Sequence, residues 1–296
     1  MSSLFGYEFL RNALIGALVI GLIAPAVGIY LVQRRMSLIG DGIGHVALTG
    51  VAVGFLTGTS PVLTAVIVAA AGAITIELLR EHGRLSGDIA LALLFYGGIA
   101  GGVLLVGLAG DKSNANLLSY LFGSLLTTSQ SDLAVIGVLS AAVLLVTVGA
   151  RPWLFAVCQD EEYAKVAGLP VRLLNMTLAL TAAVTITVAM RAVGLLLVSA
   201  LMVVPVATAQ QVARGFAATM FGAMAIGVAA AGSGVYVSFA LNVAPGAAIV
   251  VVALAVFVIV AAAAAVTNRL HAPRAAGAPA SPEPPDVALA EGRSEP

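Results

Sequence analysis

"RRMSLIGDGIGHVALTGVAVGFL", residues Arg34 to Leu56, joins a pair of arginines to an apolar run of helical length. Near the start of that run stand an aspartate and a histidine, Asp41 and His45. Arginines beside an apolar run are the expected flank of a membrane helix on its cytoplasmic side. An ionisable group inside such a helix costs at least about 2.5–3.5 kcal/mol on insertion scales, so it calls for a reason. Between Ser37 and Leu79 the only acidic, basic or histidine side chains are Asp41, His45 and Glu77. Glu77 lies near the end of the next apolar run, close to Arg80, where it can snorkel or pair.

Residues four apart on a helix are offset by only about 40°, so Asp41 and His45 project from one face. A carboxylate oxygen and an imidazole nitrogen one turn apart can hold a borderline divalent cation. The spacing leaves a structural role equally open. Asp41 could cap the helix N-terminus, and His45 could bond a neighbouring carbonyl. Gly40, Gly42 and Gly44 remove bulk around the pair, so another helix, or a second copy of this one, can approach. Two copies about a two-fold axis would bring two Asp and two His to one ion, the number of ligands zinc prefers.

The rest of the chain fixes the setting. Of its 296 residues, 60% are hydrophobic and 9% charged, against about 25% charged in a soluble domain. The expected class is therefore all-α, a polytopic membrane bundle. Runs of spanning length fall near 9–32, 38–57, 61–79, 88–109, 131–150, 172–190, 192–209, 216–240 and 245–267, which predicts about nine transmembrane helices. The first run reads as a retained span rather than a cleaved leader, because its apolar stretch continues through Leu31. Arg34, Arg35, Arg80, Arg84, Arg151, Lys165, Arg172, Arg214, Arg269 and Arg274 all follow odd-numbered spans. That bias predicts an external N-terminus and a cytoplasmic C-terminus. Residues 1–271 form the expected transmembrane domain, and the proline-rich segment 272–296 a disordered tail.

Two connections are long. "GDKSNANLLSYLFGSLLTTSQSD", from Gly110, would lie outside, with a short surface helix over Leu117–Leu126. "RPWLFAVCQDEEYAKVAGLPVR", from Arg151, would lie inside. There Asp160, Glu161 and Glu162 favour a helix N-terminus. Gly168 supplies a left-handed cap, and Pro170 stops the helix. This predicts a helix of two to three turns with Tyr163, Val166 and Leu169 as its apolar contacts.

Several activities are excluded or disfavoured. Zero net charge leaves no nucleic-acid footprint. The single cysteine, Cys158, cannot form an intramolecular disulfide. With only two lysines, Lys112 and Lys165, neither in a GxxxxGK[ST] setting, the chain carries no phosphate-binding loop. Transport would draw on an ion gradient or on a partner's ATP.

The Arg34–Leu56 stretch resembles the signature of integral-membrane permeases of bacterial ABC importers for zinc, manganese and iron. "LSGDIALALLFYGGIAGGVLL", "LLSYLFGSLLTTSQSDL", "DEEYAKVAGLPVRLLN" and "RAVGLLLVSALMVVPVATAQQVAR" resemble, in order, further segments of that family, so the likeness covers residues 8–268. It implies a fold similar to the vitamin B12 importer permease without its first helix. The implied partners are a cytoplasmic ABC ATPase, an extracytoplasmic metal-binding protein and a second permease copy in the inner membrane. It implies that Asp41 and His45 bind the transported ion, zinc first, then manganese or iron, with no permanently bound cofactor and no bond chemistry in this chain. Asp160, Glu161, Ala164, Gly168 and Leu169 map to the helix that couples to the ATPase. Thr49 stands where the family often has a small residue or proline. His82 and His271 read as solvated or structural, Arg191 as an interfacial anchor or gate residue, and Pro205 as a packing kink. The competing readings are a gradient-driven transporter using Asp41 and His45 as a proton relay, and a membrane scaffold in which the pair is structural.

Overall fold

The apolar runs fold as helices. The computed structural model describes residues 8–81, 87–109, 120–121, 123 and 130–271. The helices are α1 Glu8–Gln33, α2 Ile39–Thr57, α3 Pro61–Glu81, α4 Gly87–Ala109 and α5 Gln130–Gly149. After them come α6 Arg151–Gln159, α7 Glu161–Val166, α8 Val171–Val193, α9 Leu195–Gln210, α10 Phe216–Leu241 and α11 Pro245–His271. No strand occurs among the described residues. The tail 272–296, His82, and most of the expected external segment lie outside them.

By length and apolarity seven of these helices can cross a bilayer: α1, α2, α3, α4, α8, α10 and α11. An eighth arises if α5 and α6, bent by 65° at Ala150, count as one span. By length and apolarity, then, seven or eight spans qualify among the described residues, against about nine expected from the sequence. α9 has 16 residues, about 24 Å at 1.5 Å per residue, against a hydrocarbon core of about 30 Å. α6 is a helix where the sequence predicts connecting loop. Its start is marked by Pro152 in the first turn, a position where the missing N–H costs nothing.

α2 lies between α3 and α4, with α8 and α9 packed behind it. α1 runs along α10. A Cβ at Gly21 would stand 2.6 Å from the Gly227 carbonyl oxygen, and one at Gly227 would stand 2.7 Å from Cγ of Pro25. Backbones this close are how helices pack where the solvent is as apolar as the side chains. The larger core includes Ile20, Ile43, Ile186, Leu195 and Leu201. A smaller one gathers Tyr30, Leu154, Ala164 and Met220 at one end of the bundle.

Side-chain contacts give the helices their directions. Gln33 at the end of α1 donates to Oε1 of Gln159 at the end of α6, 2.8 Å. Gln33, Gln159, Gln210 and Phe216 line one cavity, which puts the end of α9 and the start of α10 there too. Ser60, Ala134 and Arg191 line a cavity elsewhere, bringing together the start of α3, the start of α5 and the end of α8.

Candidate functional site

Asp41 sits in the first turn of α2, and the helix begins at Ile39 with Leu38 as its N-cap. No side chain caps that terminus, so Asp41 does not serve as the cap. Its carboxylate is half-buried, as is His45 one turn on. Four residues separate the two in α2, so they share one face of the helix. His45 Nδ1 is buried and has no hydrogen-bond partner among the described residues. A buried polar atom left without a partner costs about 1–3 kcal/mol, so the carbonyl-bonded reading of this histidine loses its support.

α4 forms the wall beside the pair. The Phe95 ring meets the imidazole edge-on, with centroids 4.7 Å apart. A Cβ at Gly98 would lie 2.7 Å from the His45 carbonyl carbon and 3.0 Å from its Cβ, so only glycine admits α4 this close. Thr49 joins the two helices: its hydroxyl donates to the Gly98 carbonyl at 2.8 Å. The three α2 glycines do provide clearance, but helices of this same chain use it. A Cβ at Gly40 would meet Ser199 Oγ at 2.9 Å, one at Gly42 would meet Leu94 Cδ2 at 2.9 Å, and Leu195 presses on Gly44. That space is filled by α4 and α9 and is not open to a second copy. Among the described residues no three His, Cys, Asp or Glu side chains cluster as metal ligands.

The expected coupling helix is α7, six residues long and shorter than the two to three turns predicted. Asp160 is its N-cap, accepting from the Tyr163 N–H at 2.9 Å. Gly168 closes it at φ +79°, and Leu169 N–H reaches back to the Ala164 carbonyl at 3.0 Å. The faces differ from the expectation. Ala164 is fully buried against the bundle, while Tyr163 is 69% and Val166 87% exposed. Leu169 is half-buried. Periodicity over six residues is too short to tell an inward from an outward face, and the buried residue is the smallest.

Charges missed as a group converge behind α7. Arg34 Nη2 donates to Oδ1 of Asn175 at 2.5 Å and lies 3.8 Å from the Glu161 carboxylate. Arg80 bonds the buried Glu77 at 2.8 Å, as expected for that pair, and lies 3.6 Å from Glu161. Asn175 Nδ2 donates to Glu161 Oε1 at 3.3 Å. The individual charges were visible in sequence, but their meeting depends on three helix ends sharing one level. Of the other singled-out residues, Arg191 falls inside α8 rather than between spans, and Pro205 lies within α9. The His271 side chain is outside the described residues.

A sequence profile described as "ABC 3 transport family" matches residues 6–264. The manganese import system permease protein ScaB of Streptococcus parasanguinis is 32% identical over 246 residues, 83% of this chain and 87% of its own. The manganese transport system membrane protein MntC of Halalkalibacterium halodurans is 32% identical over 84% of this chain and 85% of its own. A probable iron transport system membrane protein of Haemophilus influenzae is 31% identical over 83% and 90%. Among solved structures, PsaBC from Streptococcus pneumoniae in complex with Fab superposes with a TM-score of 0.79 at 32% identity, covering 88% of this chain and 93% of that one. A metal-chelate type ABC transporter in an inward-facing conformation gives a TM-score of 0.62 at 16% identity, a likeness of fold alone.

Proposed function

The chain belongs to the ABC 3 transport family, and from that premise we propose that it is the membrane permease of an ATP-driven importer for a divalent transition metal. It is a multi-pass transport subunit and not itself an enzyme, with ATP hydrolysis on a separate chain. The observation that carries the metal reading is the half-buried Asp41 one turn from a His45 whose Nδ1 lacks a partner. Manganese takes first place over the zinc favoured from sequence, because relatives sharing about a third of their residues with it carry manganese in their names. Oxygen and nitrogen ligands with room for water suit that ion. The gradient-driven alternative gains nothing from family membership.

Asp41 and His45 supply two ligands in our reading, and water completes the set. A second copy of the chain packs on the outward apolar face of α4, where Leu93, Tyr96, Val103 and Leu104 are exposed. An extracytoplasmic metal-binding protein delivers the ion, and α7 seats on the ATPase through Tyr163 and Val166, its exposed apolar side chains. We read nine crossings in a fold like the vitamin B12 importer permease less its first helix, with the N-terminus outside and the C-terminus in the cytoplasm. The test is ATP-driven uptake into liposomes carrying the permease, its ATPase and its binding protein. Manganese uptake is expected to fall at least about tenfold in Asp41→Ala and His45→Ala, since even the loss of an outer-shell partner of a metal ligand costs about 10–100-fold. Wild-type rates in both variants would remove the site assignment. Uptake without any ATPase would remove the importer reading.

A further inference from the structure

We infer that Glu161 is a positioning residue that passes motion of α7 to the turn from which α2 hangs, through Arg34 and Arg80. The inference rests on the importer reading above, and it assigns Glu161 an inward role instead of a contact with the ATPase. The Glu161 carboxylate lies 3.8 Å from Arg34 at the end of α1 and 3.6 Å from Arg80 at the end of α3. It also accepts from Asn175, one turn into α8, at 3.3 Å, and Asn175 in turn holds Arg34 at 2.5 Å. Three helix ends therefore meet on one side chain of a six-residue helix.

Arg34 is where this reaches the metal pair. It opens the turn that joins α1 to α2, and Arg35 beside it takes a left-handed φ of 58°. Met36 N–H closes that turn on the Leu31 carbonyl at 2.8 Å, and Ile39 N–H bonds the Met36 carbonyl at 3.0 Å. Asp41 follows within the first turn of α2. Arg34, Arg80, Met36 and Ile39 also line one cavity, so the arginines stand beside the start of α2. Arg34 is only 8% exposed at its side chain, so its charge is held inside protein, with Glu161, Asn175 and Cys158 around it. A shift of α7 that moves the Glu161 carboxylate changes the environment of a buried guanidinium fixed to the α2 turn. Coupling between two sites requires that this contact hold a different arrangement for each position of α7.

The experiment measures metal taken up per ATP hydrolysed in liposomes holding the whole complex. Glu161→Gln and Arg34→Gln are each expected to lower that ratio about fivefold, the low end of ordinary coupling between sites. ATPase co-purification and Mn2+ binding to the detergent-solubilised complex should stay at wild-type levels. The double variant should be no worse than either single one, because the two act through each other. Arg80→Gln provides the same comparison from α3 should Arg34→Gln fail to assemble. A wild-type ratio in Glu161→Gln overturns the inference, as does loss of the ATPase from that variant or a double variant whose losses multiply. A wild-type complex that hydrolyses ATP without moving metal would instead sink the importer reading.

Discussion

Gly98 sets the distance between α4 and the Asp41–His45 pair, and it does so by having no side chain. Gly98→Ala puts a methyl 2.7 Å from the His45 carbonyl carbon and the Val46 nitrogen, both backbone atoms that cannot swing aside. α4 must shift, at a cost of about 1–3 kcal/mol for overpacking. The expected result is a lower thermal midpoint in detergent together with weakened Mn2+ binding, read by calorimetry on the same sample. Thr49→Val keeps the shape and removes the 2.8 Å bond to the Gly98 carbonyl. Its cost should be small, about 0.6 kcal/mol as for hydrogen bonds between membrane helices. A larger loss of metal binding than of stability would show that the bond positions His45. Asp41 and His45 were readable in sequence because ionisable groups are rare in apolar runs. Gly98 was not, since its importance depends on the register between α2 and α4, which no local pattern records.

α7 depends on its ends. Six residues cannot hold a helix in water on their own, since nucleation costs more than so few bonds return. Asp160 and Gly168 supply what length does not. Asp160→Ala removes the acceptor for the Tyr163 N–H, a loss of about 1 kcal/mol for a cap. Amide exchange over residues 161–168 should speed up about fivefold, the equivalent of that energy, while exchange in α8 stays slow. Val166→Asp leaves the bundle untouched, because the side chain is 87% exposed. It is expected to abolish ATPase co-purification without changing the thermal midpoint, and retained co-purification would move the docking surface elsewhere. The caps of this helix were readable from residue chemistry alone. Its orientation was not: Tyr163 and Val166 look like core residues by type, and burial of Ala164 follows from how closely α7 lies on the smaller core. The charge cluster behind it was hidden for a different reason. Arg34 and Asn175 are 141 positions apart, and arginines near helix ends have a sufficient explanation in membrane topology.

At the scale of the whole bundle the number of crossings turns on α9. Counted by length, α9 falls short of a bilayer, and composition alone cannot settle what a short apolar helix does inside a protein. Its neighbours carry the stronger argument. The helix starts immediately after α8, whose end shares a cavity with Ser60 and Ala134. It finishes at Gln210, which shares a cavity with Gln33, Gln159 and Phe216. A helix that passes from one of these levels to the other crosses the bundle, whatever its length. A short crossing is tolerable when the helix is surrounded by protein, and Leu195, Val198, Leu201 and Met202 are all buried. The consequence is a sidedness that cysteine labelling can read. Cys158 is the sole cysteine, so Cys158→Ser gives a background without thiols. Single cysteines at Thr59 and Asn242 should then react with a membrane-impermeant maleimide added outside intact cells. Cysteines at Tyr163 and Val212 should react only after the membrane is opened. Val212 decides the matter, because it is exposed and follows α9 directly. Labelling of Val212→Cys from outside, with Tyr163→Cys still protected, would mean that α9 turns back within the membrane and that the bundle has one crossing fewer.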